Sequence, residues 1–204
     1  MKKLIPLFFV LCAMAGFGQE REYVAVHRTQ RLMGNRFDIT VVAVNEEIGY
    51  INIDEAISEI TRIEKLISSW DPGSETSMIN KNAGIKPVKV SLELYNLIER
   101  AKQISELTDG AFDISYASMD RIWKFDGSMR HKPTKEEVGN SVAKVGYTSI
   151  ILNSADQTVF LSQKGMKISF GAIGKGYAAD KAKELLVSKQ VIAGMINASG
   201  DLTT

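Results

Sequence analysis

Cysteine is almost absent from this sequence. The 204 residues contain a single cysteine, Cys12, which lies inside an apolar N-terminal segment that has the pattern of a removable leader. After removal of that segment the chain has no thiol. Disulfide bridges, thiol catalysis and cysteine metal sites are therefore excluded from the mature protein.

An excess of charge of one sign is also lacking. Lysine and arginine number 25 against 24 aspartates and glutamates, which gives a formal net charge of +1. This balance provides no field that attracts a polyanion, so we expect no nucleic-acid partner. The content of 45% hydrophobic and 24% charged residues is ordinary for one large globular domain or two small ones.

Long apolar runs are confined to the first 18 residues. Two lysines precede the apolar core Leu4–Ala15, and Gly16 and Gly18 stand at positions −3 and −1 of a cut before Gln19. The pattern predicts a secretory signal peptide, with an uncleaved membrane anchor as the alternative. We expect residues 19–204 to form an exported, periplasmic domain, with association with the inner membrane as a further expectation.

Three glycines within six residues mark the stretch Ile168–Asp180 (ISFGAIGKGYAAD). The apolar run Met166–Phe170 before them predicts a strand, and the pattern of Tyr177–Lys189 predicts a helix. A strand, a glycine turn and a helix start bring backbone N–H groups close to a phosphate.

Two known nucleotide loops can be compared with this stretch. A Walker A loop is excluded because Gly176 stands where Ser or Thr is required, and Ser169 replaces the first glycine. A Rossmann turn matches at Gly174, Gly176 and Ala179. Its acidic partner belongs about 20 residues further on, whereas Asp201 lies 27 residues after Gly174. On these residues alone, a Rossmann site and a turn without ligand both stay open.

The apolar periodicity of the chain predicts an α+β fold. The predicted strands are Glu22–Gln30, Phe37–Val44, Ser149–Asn153, Thr158–Leu161, Met166–Phe170 and Val191–Ala198. The predicted helices are Asn52–Ser68, a helix capped by Ser91 that runs through Leu107, one from the capping box at Thr134 to about Val145, and Tyr177–Lys189. Ser69–Gly84 is predicted as a loop. The irregular order of these elements favours mixed or antiparallel sheets packed with helices.

Aromatic and acidic residues near the predicted loops are candidates for binding. For Trp70, local context favours a side chain that seals the end of the preceding helix over one that covers a flat ring system. Asp109 and Asp113 flank a glycine turn, where capping is favoured over metal binding. Trp123 and Phe125 are expected in the core. The charged side chains of Asn52–Ser68 are interpreted as a solvated face without function: Glu59, Arg62, Glu64 and Lys65.

Four motifs follow one another in the chain. They are Met33–Thr40 (MGNRFDIT); Ser68-Ser69-Trp70 leading to Ser74-Glu75, Ser77 and Asn80; Thr108–Asp113 (TDGAFD) followed by Trp123 and Phe125; and Ser169–Asp180 followed by Asn197–Asp201 (NASGD). Together, in this order and over nearly all of the mature chain, they resemble the motifs of the ApbE family, the FAD:protein FMN transferases. The resemblance implies an ApbE-like fold for residues 19–204.

The resemblance also implies a reaction. FAD binds with Mg²⁺ on its diphosphate, and a threonine hydroxyl of an acceptor flavoprotein attacks the FMN-side phosphorus, so that AMP leaves. The acceptor is an exported flavoprotein or a subunit of a membrane redox complex. Some members of the family use water instead and hydrolyse FAD to FMN and AMP. The metal neutralises charge on the diphosphate and on the leaving group.

The resemblance assigns site residues one by one. FAD contacts are implied for Met33, Trp70, Ala111, Phe112, Asp113, Ser169 and Lys175. Trp70 occupies an aromatic position beside the flavin, and Ala172 occupies a position whose backbone carbonyl binds Mg²⁺, an acceptable ligand for that ion. Ser169 stands where the family has an aspartate, so a contact at this position is uncharged.

The resemblance places two further metal ligands of the family, an aspartate and a threonine, downstream of the printed residues. In addition, Leu202–Thr204 follow the last predicted strand directly, without a return. We therefore expect the printed chain to be a C-terminally truncated piece that is inactive alone, with its catalytic residues unassigned. The alternatives are a periplasmic FAD-binding protein, an FAD pyrophosphatase without transferase activity, and a Rossmann-type NAD enzyme.

Overall fold

The computed structural model describes residues 22–204, so the predicted signal peptide and Cys12 lie outside the described residues. The strands are β1 Val24–Leu32, β2 Asn35–Ala43, β3 Val88–Lys89, β4 Ile150–Asn153, β5 Thr158–Leu161, β6 Ala193–Ala198 and β7 Asp201–Thr203. The helices are α1 Glu46–Ile67, α2 Glu75–Lys81, α3 Leu92–Leu107, α4 Lys135–Val142 and α5 Gly174–Ser188. Short 3₁₀ turns occupy Ile114–Ser118 and Tyr147–Ser149.

The larger sheet has four strands in the order β1-β2-β6-β7. β1 and β2 form a hairpin in which Leu32 pairs with Asn35 across the two-residue turn Met33-Gly34. Both turn residues have positive φ angles, 51° and 73°, as a type I′ hairpin turn requires. The alternation predicted for β2 is confirmed, because Phe37, Ile39 and Val41 are fully buried.

The smaller sheet has the order β3-β5-β4. Every strand pair between residues 22 and 204 is antiparallel in both sheets. The predicted α+β class with antiparallel sheets is confirmed. The Rossmann-type interpretation is wrong, because that fold binds its dinucleotide at the carboxyl ends of parallel strands.

Helix α1 packs against β1, β2 and α5 and carries the centre of the core. Its buried residues Ile53, Ala56, Ile60 and Ile63 recur at helical spacing, as predicted. The helix begins at Glu46, six residues before the predicted start, because the Asn45 side chain accepts a hydrogen bond from the Ile48 N–H. No described helix combines the length and the apolar character needed to cross a membrane.

Several predicted boundaries need correction. The predicted loop Ser69–Gly84 contains α2, which begins where the Ser74 side chain accepts a bond from the Ser77 N–H. Helix α4 is capped by the predicted box at Thr134 but ends at Val142. Helix α5 begins at Gly174, three residues before Tyr177.

The end of the chain also differs from the prediction. It turns back after β6 at Ser199-Gly200, and β7 then pairs antiparallel with β6. The expectation of no return strand is therefore wrong. β7 could not be predicted because its three residues are too few to show an apolar alternation.

Candidate functional site

A cleft of about 450 Å³ lies where three parts of the chain meet. Its walls are the β1–β2 turn, the C-terminal end of α1 with the following loop, and the glycine turn before α5. Four of the residues with implied FAD contacts line this one cleft: Met33, Trp70, Ser169 and Lys175. The structure therefore brings together residues from three of the four motifs.

Met33 forms part of the cleft wall at the tip of the hairpin. Its N–H donates to Glu64 Oε2 at 3.1 Å, and Glu64 itself lines the cleft. The interpretation of Glu64 as part of the solvated face is therefore corrected, because its side chain is half-buried and lines the cleft. Glu64 lies beside the buried stripe of α1, which the sequence pattern shows. Its hydrogen bond to the Met33 N–H depends on the packing of the β1–β2 hairpin on α1, which the pattern does not show.

Gly174 allows the helix α5 to approach the hairpin closely. A Cβ atom at this position would lie 2.7 Å from Ile67 Cδ1 and 3.5 Å from Met33 Cε. A residue with a side chain would therefore push against the end of α1 and against the Met33 side chain. The glycine therefore lets α5 pack closely at the back of the cleft without displacing these two side-chain ends.

Trp70 stands at the rim of the cleft and is 80% exposed. Its backbone N–H donates to Ser68 Oγ at 3.2 Å, and that oxygen also accepts from the Asp71 N–H. The guanidinium of Arg121 lies over the indole, 5.6 Å from the ring centroid. The interpretation of Trp70 as the seal of a helix end is wrong, because the ring faces solvent at the cleft instead of packing on α1.

The predicted strand Met166–Phe170 is extended but belongs to neither sheet. Side chains bond its middle residues: the Asn80 amide bonds both the N–H and the carbonyl of Ile168, at 2.8 and 3.0 Å. Ser118 Oγ bonds both polar groups of Lys167 in the same way. The predicted alternation of buried residues is confirmed at Met166, Ile168 and Phe170, but the predicted pairing with a neighbouring strand is wrong. This segment contains Ser169 and leads directly into the glycine turn.

The start of α5 presents free N–H groups to this region. Ile173, the N-cap residue, makes no side-chain capping bond, and no acceptor among residues 22–204 is bonded to the N–H groups of Lys175 and Gly176. Unpaired N–H groups at a helix start carry partial positive charge and favour an anion. The cleft thus combines an exposed aromatic ring with an anion-favouring helix start.

Lys175 is held at the edge of the cleft by the last hairpin. Its Nζ donates to Asp201 Oδ2 at 2.9 Å and to the Ala198 carbonyl at 3.2 Å. The hairpin is shaped by Asn197 Oδ1, which accepts from the Gly200 N–H at 2.9 Å. The Asn197–Asp201 motif is therefore a turn that sets Asp201 beside Lys175.

The segment of Ala111, Phe112 and Asp113 does not line this cleft. Ala111 is exposed, and Phe112 is half-buried against the core. Asp113 accepts from the Ser115 N–H at 2.7 Å and from the Tyr147 N–H at 2.8 Å, so the predicted capping role is confirmed. The FAD contacts implied for these three residues stay predictions.

Trp123 and Phe125 are 48% and 93% exposed. The expectation that they belong to the core is wrong, because the segment after the 3₁₀ turn Ile114–Ser118 runs along the surface without regular structure. Arg121, in the same segment, reaches Trp70.

The implied metal ligand, the Ala172 carbonyl, lies in the exposed turn before α5 and accepts no hydrogen bond from the described residues. An unpaired carbonyl oxygen is a suitable donor for Mg²⁺, which keeps several waters and binds substrate phosphates. Residues 22–204 contain no group of three or more His, Cys, Asp or Glu side chains that could hold a metal. The donor present fits the ion but supplies one ligand.

The fold and the cleft together define an antiparallel α+β protein with a site suited to a flat ring joined to a phosphate. The sequence model described as "ApbE family" matches residues 33–204, and the chain belongs to this family.

Relatives agree with this assignment. The FAD:protein FMN transferase of Klebsiella pneumoniae (strain 342) is 32% identical over 156 residues, which are 74% of this chain and 49% of that protein. The FAD:protein FMN transferase of Treponema pallidum (strain Nichols) is 24% identical over 202 residues, 96% of this chain and 56% of that protein. The chain thus spans about half the length of these relatives.

Solved structures show the same fold. The crystal structure of the ApbE protein of Thermotoga maritima matches with a TM-score of 0.72 at 26% identity, over 85% of this chain and 56% of that one. The apo form of the Pseudomonas stutzeri flavinyl transferase ApbE matches with a TM-score of 0.75 at 20% identity, over 89% of this chain and 57% of that one.

Proposed function

We propose that this chain forms the FAD-binding part of an FAD:protein FMN transferase. The observation that carries the proposal is the cleft, which gathers Met33, Trp70, Ser169 and Lys175 from three separate motifs. The isoalloxazine ring would lie against Trp70 and Met33. The diphosphate would lie at the start of α5, where free N–H groups favour negative charge.

The chemistry is transfer of an FMN group. The hydroxyl oxygen of an acceptor threonine forms a bond to the FMN-side phosphorus, the bond from that phosphorus to the AMP oxygen breaks, and the hydroxyl proton is lost. Lys175, fixed by Asp201 at 2.9 Å, supplies positive charge beside the diphosphate. Bound Mg²⁺, held in part by the Ala172 carbonyl, would neutralise charge on the leaving group.

We also propose the setting of this reaction. The signal-peptide pattern of residues 1–18 supports export to the periplasm, where the acceptor is an exported flavoprotein or a subunit of a membrane redox complex. Several named relatives are FAD:protein FMN transferases, which supports a protein acceptor.

Hydrolysis or simple carriage of FAD is the second candidate. One observation favours it: Ser169, which stands where the family has an aspartate, brings no charge to the cleft. A site that binds FAD without arranging an acceptor would release FMN and AMP to water, or hold FAD unchanged.

One experiment separates these functions. The full-length protein would be incubated with FAD, Mg²⁺ and a peptide that carries an acceptor threonine, and mass spectrometry would follow the peptide. We expect an FMN adduct that disappears with EDTA and is absent from a peptide with valine in place of the threonine. Free FMN and AMP without an adduct would indicate a hydrolase, and bound unchanged FAD would indicate a carrier.

A further inference from the structure

Arg121 and Trp70 form a pair at the rim of the cleft. The guanidinium lies 5.6 Å from the centroid of the indole, within the range of a cation–π interaction. Trp70 is anchored at its backbone by Ser68, but its ring is 80% exposed. With most of its surface in solvent, the ring has few contacts that could restrain its two side-chain dihedral angles, and the Arg121 guanidinium is one of them.

The guanidinium of Arg121 forms no ion pair with the residues that the structure describes. No carboxylate among residues 22–204 lies within ion-pair distance of its guanidinium. The backbone beside it is tied to α4, since the Asp120 N–H donates to the Ser141 carbonyl at 3.3 Å, and it turns locally where the Ile122 N–H donates to the Asp120 carbonyl at 2.9 Å. The Arg121 guanidinium thus has no carboxylate partner among residues 22–204, and the group that it contacts is the exposed indole of Trp70.

We propose that Arg121 is a positioning residue for flavin binding. It covers one face of the Trp70 indole, holds the ring in one orientation and leaves the other face for the isoalloxazine ring. A ring ordered before binding loses less conformational freedom when the ligand stacks on it. This inference rests on the proposed function, because it assumes that the flavin stacks on Trp70.

The first test needs no ligand. In a Trp123→Phe background Trp70 is the single tryptophan, since the chain has two, and its fluorescence anisotropy decay reports the freedom of the ring. We expect faster and wider ring motion in Arg121→Gln and recovery in Arg121→Lys, which keeps the cation. Arg130→Gln, an exposed arginine further along the same segment, is the matched control. An unchanged decay in Arg121→Gln would overturn the proposal.

The second test uses two ligands, riboflavin and FAD, titrated by flavin fluorescence. A cation–π contact at an exposed site corresponds to about a two- to fivefold change in affinity. We expect Arg121→Gln to weaken both ligands by this factor and to have no effect in a Trp70→Ala background. If Arg121→Gln weakened the binding of FAD but not of riboflavin, and did so in the Trp70→Ala background as well, Arg121 would act on the phosphates and the proposal would be overturned.

The outcomes separate this inference from the proposed function. If the unsubstituted protein bound neither flavin, the proposed function would be contradicted. If it bound both normally and Arg121→Gln did the same, only the role of Arg121 would be contradicted.

Discussion

At the scale of the residue, Asn80 fixes the wall of the cleft. Its amide bonds both polar backbone groups of Ile168, a residue with no exposed surface. Loss of that amide would leave a buried N–H and a buried carbonyl unpaired, at a cost of about 1–3 kcal/mol for such a group.

We therefore predict that Asn80→Ala lowers the free energy of unfolding by about 2 kcal/mol and weakens FAD binding, because residues 166–170 lose their tether beside Ser169. Urea unfolding measures the first effect and flavin titration the second. Asn140→Ala, at an exposed position of α4, should change neither. Equal stability of the Asn80 variant and the unsubstituted protein would contradict this account.

The candidate site could be predicted only in part from single residues. Met33, Trp70, Ser169 and Lys175 were assigned through motif resemblance, and the structure places them in one cleft. Glu64 and Arg121 were missed because their roles depend on partners far along the chain, the Met33 N–H and the Trp70 ring. A local pattern contains no information about such pairs.

At the scale of the element, three helices are joined by one cluster of charged and polar side chains. Arg62 of α1 bonds Glu93 of α3, and Tyr177 of α5 donates to Glu93 Oε1 at 3.0 Å. Arg62 chiefly, and Tyr177 to a smaller extent, hold the pKa of Glu93 below its ordinary value, against the opposing effect of burial. The ionised carboxylate therefore stabilises the packing of the three helices.

The sign of the pH dependence follows from that lowered pKa. The stabilisation by Glu93 is complete above the pKa of an unfolded glutamate, about 4.3, and is lost as the pH falls through the lower folded-state pKa. We predict that Glu93→Gln reduces the free energy of unfolding at pH 7 by about 1 kcal/mol, a value reduced for the partial exposure of Arg62. The difference from the unsubstituted protein should disappear in acid.

Denaturant unfolding at several pH values measures this difference. Glu99→Gln, at an exposed position of the same helix, is the control, and its difference in free energy of unfolding from the unsubstituted protein should not depend on pH in this way. A Glu93→Gln difference that stayed constant down to acid pH would show that the carboxylate charge is not the cause.

The connection between α2 and the smaller sheet depends on Gly84. Its φ angle is +70°, and a Cβ atom would lie 2.6 Å from the backbone of Lys164. We predict that Gly84→Ala lowers the free energy of unfolding by about 2–4 kcal/mol, since positive φ and a backbone clash act together. Thermal unfolding measures this loss.

A matched alanine substitution should act in the opposite direction. Gly139 lies within α4, and no atom lies within 4 Å of the position that a Cβ would occupy, so Gly139→Ala is expected to stabilise the protein by about 0.5–1 kcal/mol. If both glycine variants changed the stability equally, the contact with Lys164 would not be the cause.

The long elements could be predicted from the sequence because they satisfy their own hydrogen bonds. Helices α1 and α3 and strand β2 show apolar periodicity, although the cap of α1 at Asn45 lies outside its apolar stripe and its start was missed. Helix α2 was missed because its seven residues sit among turn formers. The run 166–170 has the buried alternation of a strand, but it bonds the side chains of Asn80 and Ser118 and the Ile114 carbonyl instead of a neighbouring strand.

At the scale of the whole molecule, one edge of the larger sheet lies beside apolar surface. In the larger sheet the described order β1-β2-β6-β7 leaves β7 with one paired side, since it bonds only β6. A cleft of about 210 Å³ beside it is lined by apolar side chains of α5, β6 and the turn between them, including Val187, Ile192 and Met195. Leu202 of β7 is 60% exposed. An unpaired strand edge next to apolar surface favours association with another chain.

We predict that a polypeptide of residues 19–204 self-associates through this edge and that Leu202→Lys reduces the association, because a charged side chain on an edge strand disfavours strand addition. Sedimentation velocity over a range of concentrations measures the effect. Leu107→Lys, an exposed leucine at the end of α3, changes the charge equally at a distant position and should leave the association unchanged. Both variants must keep the unsubstituted circular dichroism spectrum, so that a change in association reports the edge and not the fold. A monomeric unsubstituted chain at all concentrations would contradict the prediction, and equal effects of the two lysines would assign the association to net charge instead of to β7.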